Sequence, residues 1–89
     1  KLLWRRSAAR QLGEQIEYLK IVSPQAAKRM RARIKQRLAR LRRAPFTGRP
    51  SVSDGVRELV SAHAYVAVYV VDADVITILQ FFHMSQDRT

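Results

Sequence analysis

Few side chains in this sequence could carry acid–base or nucleophilic chemistry. The chain has no cysteine and only two histidines, His63 and His83, so thiol chemistry is excluded and a structural metal site is not expected. Arg57 and Glu58 are the other candidates for charge stabilisation and proton transfer. Consecutive residues of a strand point to opposite faces of its sheet, so these two side chains cannot act on one substrate. The sequence therefore offers no evident proton-transfer pair, and we expect no cofactor.

The charge of the chain requires a partner. The formal net charge is +10, from 17 Lys and Arg against 7 Asp and Glu, and every charged residue between Glu17 and Asp54 is basic. So large an excess destabilises a small domain by self-repulsion. We expect an anionic partner, which can be a nucleic acid, an acidic protein or an acidic membrane, because composition does not rank these three.

Two arginines are predicted to be held in place by the backbone. Arg49 lies between a glycine and a proline in a loop, and Arg57 lies on a predicted strand. Side chains on rigid segments lose little freedom on binding, so both arginines are candidates for binding a target, although an ion pair is the simpler interpretation. The alternative is an ion pair with Asp54 or Glu58.

A cationic ridge is predicted on the second helix. Its residues recur at steps of three or four, which places them on one side of a helix, and no aromatic residue lies among them. The ridge could contact phosphates or acidic residues of a partner, whereas stacking on a single strand is not supported. The alternative is a solvated polar face. The ridge consists of Arg29, Arg33, Arg37 and Arg40.

Two amphipathic helices are predicted in the first half of the chain. Apolar residues recur at steps of three and four over 9–19, following a Ser7 N-cap, and again over 27–41. Ser23, followed by a proline, is expected to cap the second helix, which should end before Pro45. Because few residues connect the helices, they must form an antiparallel hairpin.

Strands are predicted in the second half. Alternating patterns cover 56–60, 65–71 and 75–82, with a tight turn at 72–74, and residues 1–4 can form an opening strand. The predicted fold is a single α+β domain over residues 1–89, in which a helical hairpin packs on a small antiparallel sheet in the order β-α-α-β-β-β.

The middle strand has two apolar faces. We assign Val66, Val68 and Val70 to the face that contacts the helices. The other face carries Tyr65 and Tyr69, and we expect a partner to cover it or the solvent to reach part of it.

Membrane insertion is not expected. No apolar run approaches the roughly 20 residues that cross a bilayer, and no short apolar segment follows a basic start as in a signal peptide. We therefore expect a cytoplasmic protein.

Short landmarks occur in a characteristic order along nearly the whole chain. They are Trp4, Ser7-Ala8-Ala9, Leu12, Ile16-Glu17-Tyr18-Leu19, Ser23-Pro24, Ala26-Ala27, Leu41, Pro45, Gly48-Arg49-Pro50, Gly55-Val56-Arg57-Glu58-Leu59, Tyr65, Val68-Tyr69, Ile78-Leu79 and Phe82-His83. Taken together, they resemble the RelE/ParE superfamily of bacterial type II toxins. The resemblance implies a small basic toxin that is neutralised in a hetero-oligomer by a cognate antitoxin, whose partly disordered tail wraps around it.

The superfamily contains RelE-like enzymes, which cut messenger RNA on the ribosome without a metal. That reaction needs a base, a cation for the phosphate and an acid for the leaving oxygen. Many RelE-like members have an Arg three residues before the Tyr that matches Tyr69, and a Tyr directly after the last histidine. This chain has Val66 and Met84 at those positions. A metal-independent mRNA endonuclease that acts on the ribosome is therefore the alternative function.

ParE-like members of the superfamily poison DNA gyrase and lack such a constellation. The residues from His83 to Arg88 resemble the ending of ParE-like members, in which small, polar and basic residues follow a histidine. We predict a ParE-like toxin that inhibits gyrase by binding and catalyses no reaction. Its candidate residues for binding the target or the antitoxin are Arg33, Arg37, Arg49, Arg57, His83 and Arg88.

We expect the antitoxin to cover the apolar sides of the helical hairpin and any uncovered surface of the sheet through an amphipathic helix, with an added strand as a further option. Without the resemblance, a third possibility is a small nucleic-acid-binding module that uses the cationic ridge.

Overall fold

A short strand and two helices precede a series of strands in the computed structural model, which describes residues 1–61 and 64–85. This order confirms the predicted α+β class. The elements are β1 (Leu2–Trp4), α1 (Arg6–Val22), α2 (Pro24–Ala39), a 3-10 turn η1 (Arg40–Arg42), β2 (Arg49–Pro50), β3 (Val56–Val60), β4 (Tyr65–Asp72) and β5 (Val75–His83).

One sheet contains the five strands in the order β1-β5-β4-β3-β2. It differs from the predicted antiparallel sheet in two respects. First, β1 pairs with β5 in parallel, which the long connection through the helical hairpin permits. Second, β2 pairs antiparallel with β3 within the segment predicted as a loop. Pro50 is compatible with this strand because β2 lies at the edge of the sheet.

The two helices begin in different ways. Ser23 caps α2, since its Oγ accepts a hydrogen bond from the Ala26 N–H at 3.2 Å, as the sequence predicts. The predicted Ser7 cap of α1 is wrong, because the N-cap residue is Arg5, whose side chain makes no capping bond. The chain passes directly from β1 into α1, and the Arg5 N–H bonds to the Ile78 carbonyl at 2.9 Å. Neither helix is long and apolar enough to cross a bilayer.

The main core lies between the helical hairpin and one face of the sheet. From α2 it contains Met30, Ile34 and Leu38, and from β4 it contains Tyr65 and Tyr69. The prediction that the valines of β4 face the helices is therefore wrong. The phenols can be buried because their hydroxyl groups find partners on α1 and on the loop after η1.

The face of the sheet opposite the helices carries a smaller apolar cluster. Val66, Val68 and Phe82 form it, and Val56 and Val60 pack against it. Strand alternation accounts for this arrangement, since Val66, Val68 and Phe82 are each displaced by one position from a residue of the main core.

Candidate functional site

Arg57 lies on the face of β3 that is directed toward the helices, opposite Tyr69 of β4. Its Nη1 donates to the Gly48 carbonyl at 2.7 Å and to the Phe46 carbonyl at 3.3 Å. The guanidinium carbon lies 5.1 Å from the centre of the Phe46 ring, within the range of a cation–π interaction. Arg57 thus binds the loop between η1 and β2. The alternative for Arg57, an ion pair with Asp54 or Glu58, is wrong. It holds Phe46, whose side chain is 63% exposed, on the protein surface.

Tyr69 of β4 also binds this loop. Its hydroxyl donates to the Pro45 carbonyl at 2.7 Å and accepts from the Gly48 N–H at 2.9 Å. A Cβ on Gly48 would lie 2.6 Å from this oxygen, so the close approach requires glycine. The loop is therefore held by two side chains of the sheet, Arg57 and Tyr69.

Arg49 and Glu58 form an ion pair on the opposite face of the sheet. Arg49 Nη2 lies 3.2 Å from Glu58 Oε1, and the two residues are paired in register between β2 and β3. The ion-pair alternative for Arg49 is therefore confirmed. Because Arg57 and Glu58 are consecutive, they occupy opposite faces, as the sequence predicts.

The cations of α2 differ in how firmly they are held. Arg37 is partly buried, and its Nε donates to the Val60 carbonyl at 3.2 Å. It connects α2 with the end of β3, so the prediction of an exposed ridge that includes Arg37 is wrong. Arg29, Arg33 and Arg40 are exposed. Arg37 thus joins α2 to β3, whereas the side chains of the other three residues are exposed.

An apolar groove with a cationic rim lies beside α2, and we call it the α2–β1 groove. It has a volume of about 290 Å³. Apolar side chains from β1, α1 and α2 form its floor, and three basic residues stand around it. The floor contains Leu2, Trp4, Leu12, Ile34 and Leu38, and the rim contains Arg31, Lys35 and Arg42. The groove thus offers apolar contact and positive charge at the same place.

His83 ends β5 on the same face as Arg57. Its ring packs edge-on against Tyr65 at 5.0 Å between centroids, and its Nδ1 accepts from the Ser85 N–H at 3.1 Å. The Tyr65 hydroxyl donates to Gln15 Oε1 at 3.3 Å. Burial, and to a smaller extent the Tyr18 phenol, raises the pKa of Tyr65 above its ordinary value of 10.0. The neutral phenol is therefore the form that the fold favours.

The predicted site residues do not meet at one point. Arg57 is in register with Tyr69 and His83 with Tyr65, so they are separated by about 13 Å along β4. No cluster of three or more metal-ligating side chains occurs in the described part of the chain. His63 and Arg88, the remaining candidates, lie outside the described residues.

Two features of the surface were missed in the sequence. The first is Phe46, whose place in a loop gives no sign that Arg57 contacts its ring and holds it in an exposed position. The α2–β1 groove was missed because Leu2 and Trp4 come from β1, far from α2 in the sequence. The signal available for the groove was the placement of Arg31, Lys35 and Arg42 on one side of the predicted helix.

Comparisons with known proteins agree on one family. The family model for the ParE toxin of the type II toxin-antitoxin system parDE matches residues 2–88. A solved structure, the chromosomal ParDE TA system from P. aeruginosa, contains a chain that is 28% identical. The match covers 93% of this chain and 94% of that one, with a TM-score of 0.79. No curated protein sequence matches. The chain belongs to the ParE toxin family of type II toxin-antitoxin systems.

Proposed function

We propose that this toxin inhibits DNA gyrase by binding it, without a catalytic step of its own. The observation that carries the proposal is the match to the ParE family over residues 2–88. The separation of the reactive side chains supports it. Glu58 pairs with Arg49 on one face, whereas Arg57 binds loop carbonyls on the other. General acid–base catalysis needs such groups within hydrogen-bond reach of one substrate.

The endonuclease of the RelE type remains the second candidate, because Arg57 and His83 share one face of the sheet. The residues at two key positions argue against it. Val66, where many RelE-like enzymes have an arginine, is 1% exposed and belongs to the apolar cluster on the opposite face. Met84, where they have a tyrosine, has no group that could transfer a proton. The binding function therefore explains more of the site.

We also propose that the cognate antitoxin occupies the α2–β1 groove. An amphipathic segment could place apolar side chains against Trp4, Leu12 and Ile34, with acidic residues against the cationic rim. β1 is an edge strand of the described sheet, so an extended part of the antitoxin could pair with it. The toxin would act in the cytoplasm, and the antitoxin would hold it in a hetero-oligomer.

Two assays in parallel test the proposed target. Purified toxin is added to gyrase with relaxed plasmid, and separately to a translating extract in which message length is followed. We expect loss of supercoiling and intact message, and His83→Ala should leave the message result unchanged. Cleaved message together with unaffected supercoiling would refute the gyrase proposal and establish the endonuclease.

A further inference from the structure

The exposed side of α2 and η1 carries two rows of cations with a neutral strip between them. An α-helix turns by about 100° per residue, which places the rows on opposite flanks. The strip is formed by Ala32, Gln36 and Ala39, all exposed. The first row contains Lys28, Arg31, Lys35 and Arg42, and the second contains Arg29, Arg33 and Arg40.

The dimensions of this surface match the major groove of duplex DNA. A helix with its side chains is about 10–12 Å across, and the major groove is about 12 Å wide. The rows extend over about 20 Å along the helix axis, from Lys28 to Arg42. Small residues in the strip allow the helix to approach the base edges, while each row is directed toward the phosphates of one strand.

We infer that the exposed side of α2 binds double-stranded DNA by lying in the major groove, with the two rows on the phosphates of the two strands. This activity is separate from gyrase binding and does not depend on it. The contacts are to the backbone, so we expect affinity with little preference for sequence. Gln36 is the one long polar side chain of the strip, and in this arrangement it would lie next to the bases.

The composition of the surface favours DNA over a protein partner. Protein interfaces depend on a few buried aromatic or large apolar side chains, and the strip has none. The apolar contacts of α2 are instead in the α2–β1 groove. The segment from α2 to β2 contains no acidic residue that could repel phosphate.

Two acids of α1 lie close to one end of the first row. Glu14 and Glu17 line a depression together with Arg31 and Arg10. Glu17 is already paired with Lys20, whose Nζ lies 3.2 Å from Oε1. We therefore expect the C-terminal part of the first row, with Lys35 and Arg42, to contact phosphate more strongly than Arg31.

The test measures binding of the purified full chain to a labelled duplex of about 20 base pairs by fluorescence anisotropy, at about 50–300 mM salt. If about five of the cations contact phosphate, the logarithm of the affinity should fall with the logarithm of the salt concentration with a slope of about −4 to −5. A slope near zero would overturn the inference. So would equal affinity for duplex RNA, whose narrow major groove does not admit a helix.

Matched variants separate groove binding from general attraction. Ala32→Tyr keeps the charge but adds bulk to the strip, and should weaken DNA binding about ten-fold, whereas Ala9→Tyr on the exposed side of α1 should have no effect. Lys35→Gln with Arg40→Gln should reduce the slope by about two, and Arg5→Gln with Arg6→Gln should not. Circular dichroism verifies that each variant is folded. Wild-type affinity of Ala32→Tyr would refute binding in the groove.

Discussion

Single residues of the sheet determine the shape of the loop between η1 and β2. Tyr69 and Arg57 each make two hydrogen bonds to backbone groups of this loop. None of these backbone groups carries a formal charge. Tyr69 is fully buried, so its hydroxyl group cannot exchange these partners for water. The loop therefore depends on a hydroxyl group more than 20 residues away in the sequence.

Tyr69→Phe should lower the free energy of unfolding by about 1–3 kcal/mol. It removes the bond to the Pro45 carbonyl and leaves the buried Gly48 N–H without its partner. Urea denaturation measures the change. Tyr18→Phe, at an exposed position, is the control and should change stability by less than about 0.5 kcal/mol. Equal effects of the two variants would contradict the described contacts.

The stability of the toxin should decrease in alkaline solution through Tyr65. Because burial raises the pKa of Tyr65 in the folded state, its contribution is complete below the unfolded pKa of about 10. The contribution is lost as the pH rises from there through the higher folded pKa. Tyr65→Phe should therefore show a smaller decrease between about pH 9 and 11 in thermal melts. An unchanged decrease in the variant would show that Tyr65 is not the group responsible.

Among the helices and strands, the sequence predicts those features that depend on a local residue pattern. The apolar period gives both helices, and Ser23 before a proline gives the start of α2. The parallel pairing of β1 and the choice of face in β4 were not predictable in this way. By composition, the face of β4 that carries the valines is the more apolar of the two, so the local pattern favours packing that face against the helices. The buried tyrosines have partners at Pro45 and Gln15, which only the folded chain brings near.

The rim of the α2–β1 groove should determine how tightly the antitoxin binds. Lys35→Glu with Arg42→Glu is expected to weaken the complex about ten-fold or more, mainly through slower association, because acidic antitoxin residues would meet like charge. Surface plasmon resonance with the antitoxin measures this change. Arg5→Glu with Arg6→Glu alters the net charge equally at another exposed place and should have a small effect. Similar losses in both double variants would indicate that net charge, and not the groove, governs the complex.

In the molecule as a whole, the net charge of +10 arises mainly from the part of the chain between Glu17 and Asp54, in which every charged residue is basic. Lys and Arg supply every charge from α2 to β2. Among the described residues, Lys20 pairs with Glu17 and Arg49 pairs with Glu58. The surface of α2 that we assign to DNA shares Arg31, Lys35 and Arg42 with the groove that we assign to the antitoxin. Binding of an acidic antitoxin would thus both cover the groove and reduce the positive field around α2.

Salt should stabilise the isolated toxin. Raising sodium chloride from about 0.05 to 0.5 M screens the repulsion among the cations, so the melting temperature should rise by a few degrees. If acidic groups of the antitoxin compensate the charge, as we propose, the toxin–antitoxin complex should show a smaller rise or a decrease. Scanning calorimetry of both samples provides the comparison. A lower melting temperature of the free toxin in high salt would contradict the charge argument.

We propose that this ParE-family toxin acts on gyrase by binding and without chemistry of its own. The most direct measurement is the amount of plasmid broken and covalently linked to gyrase, after denaturation of mixtures of gyrase, plasmid, ATP and increasing toxin. We predict that linear, gyrase-linked plasmid accumulates with toxin and returns to the control level when equimolar antitoxin is added first. Plasmid that stays intact and is supercoiled at the normal rate at every toxin concentration would contradict the claim.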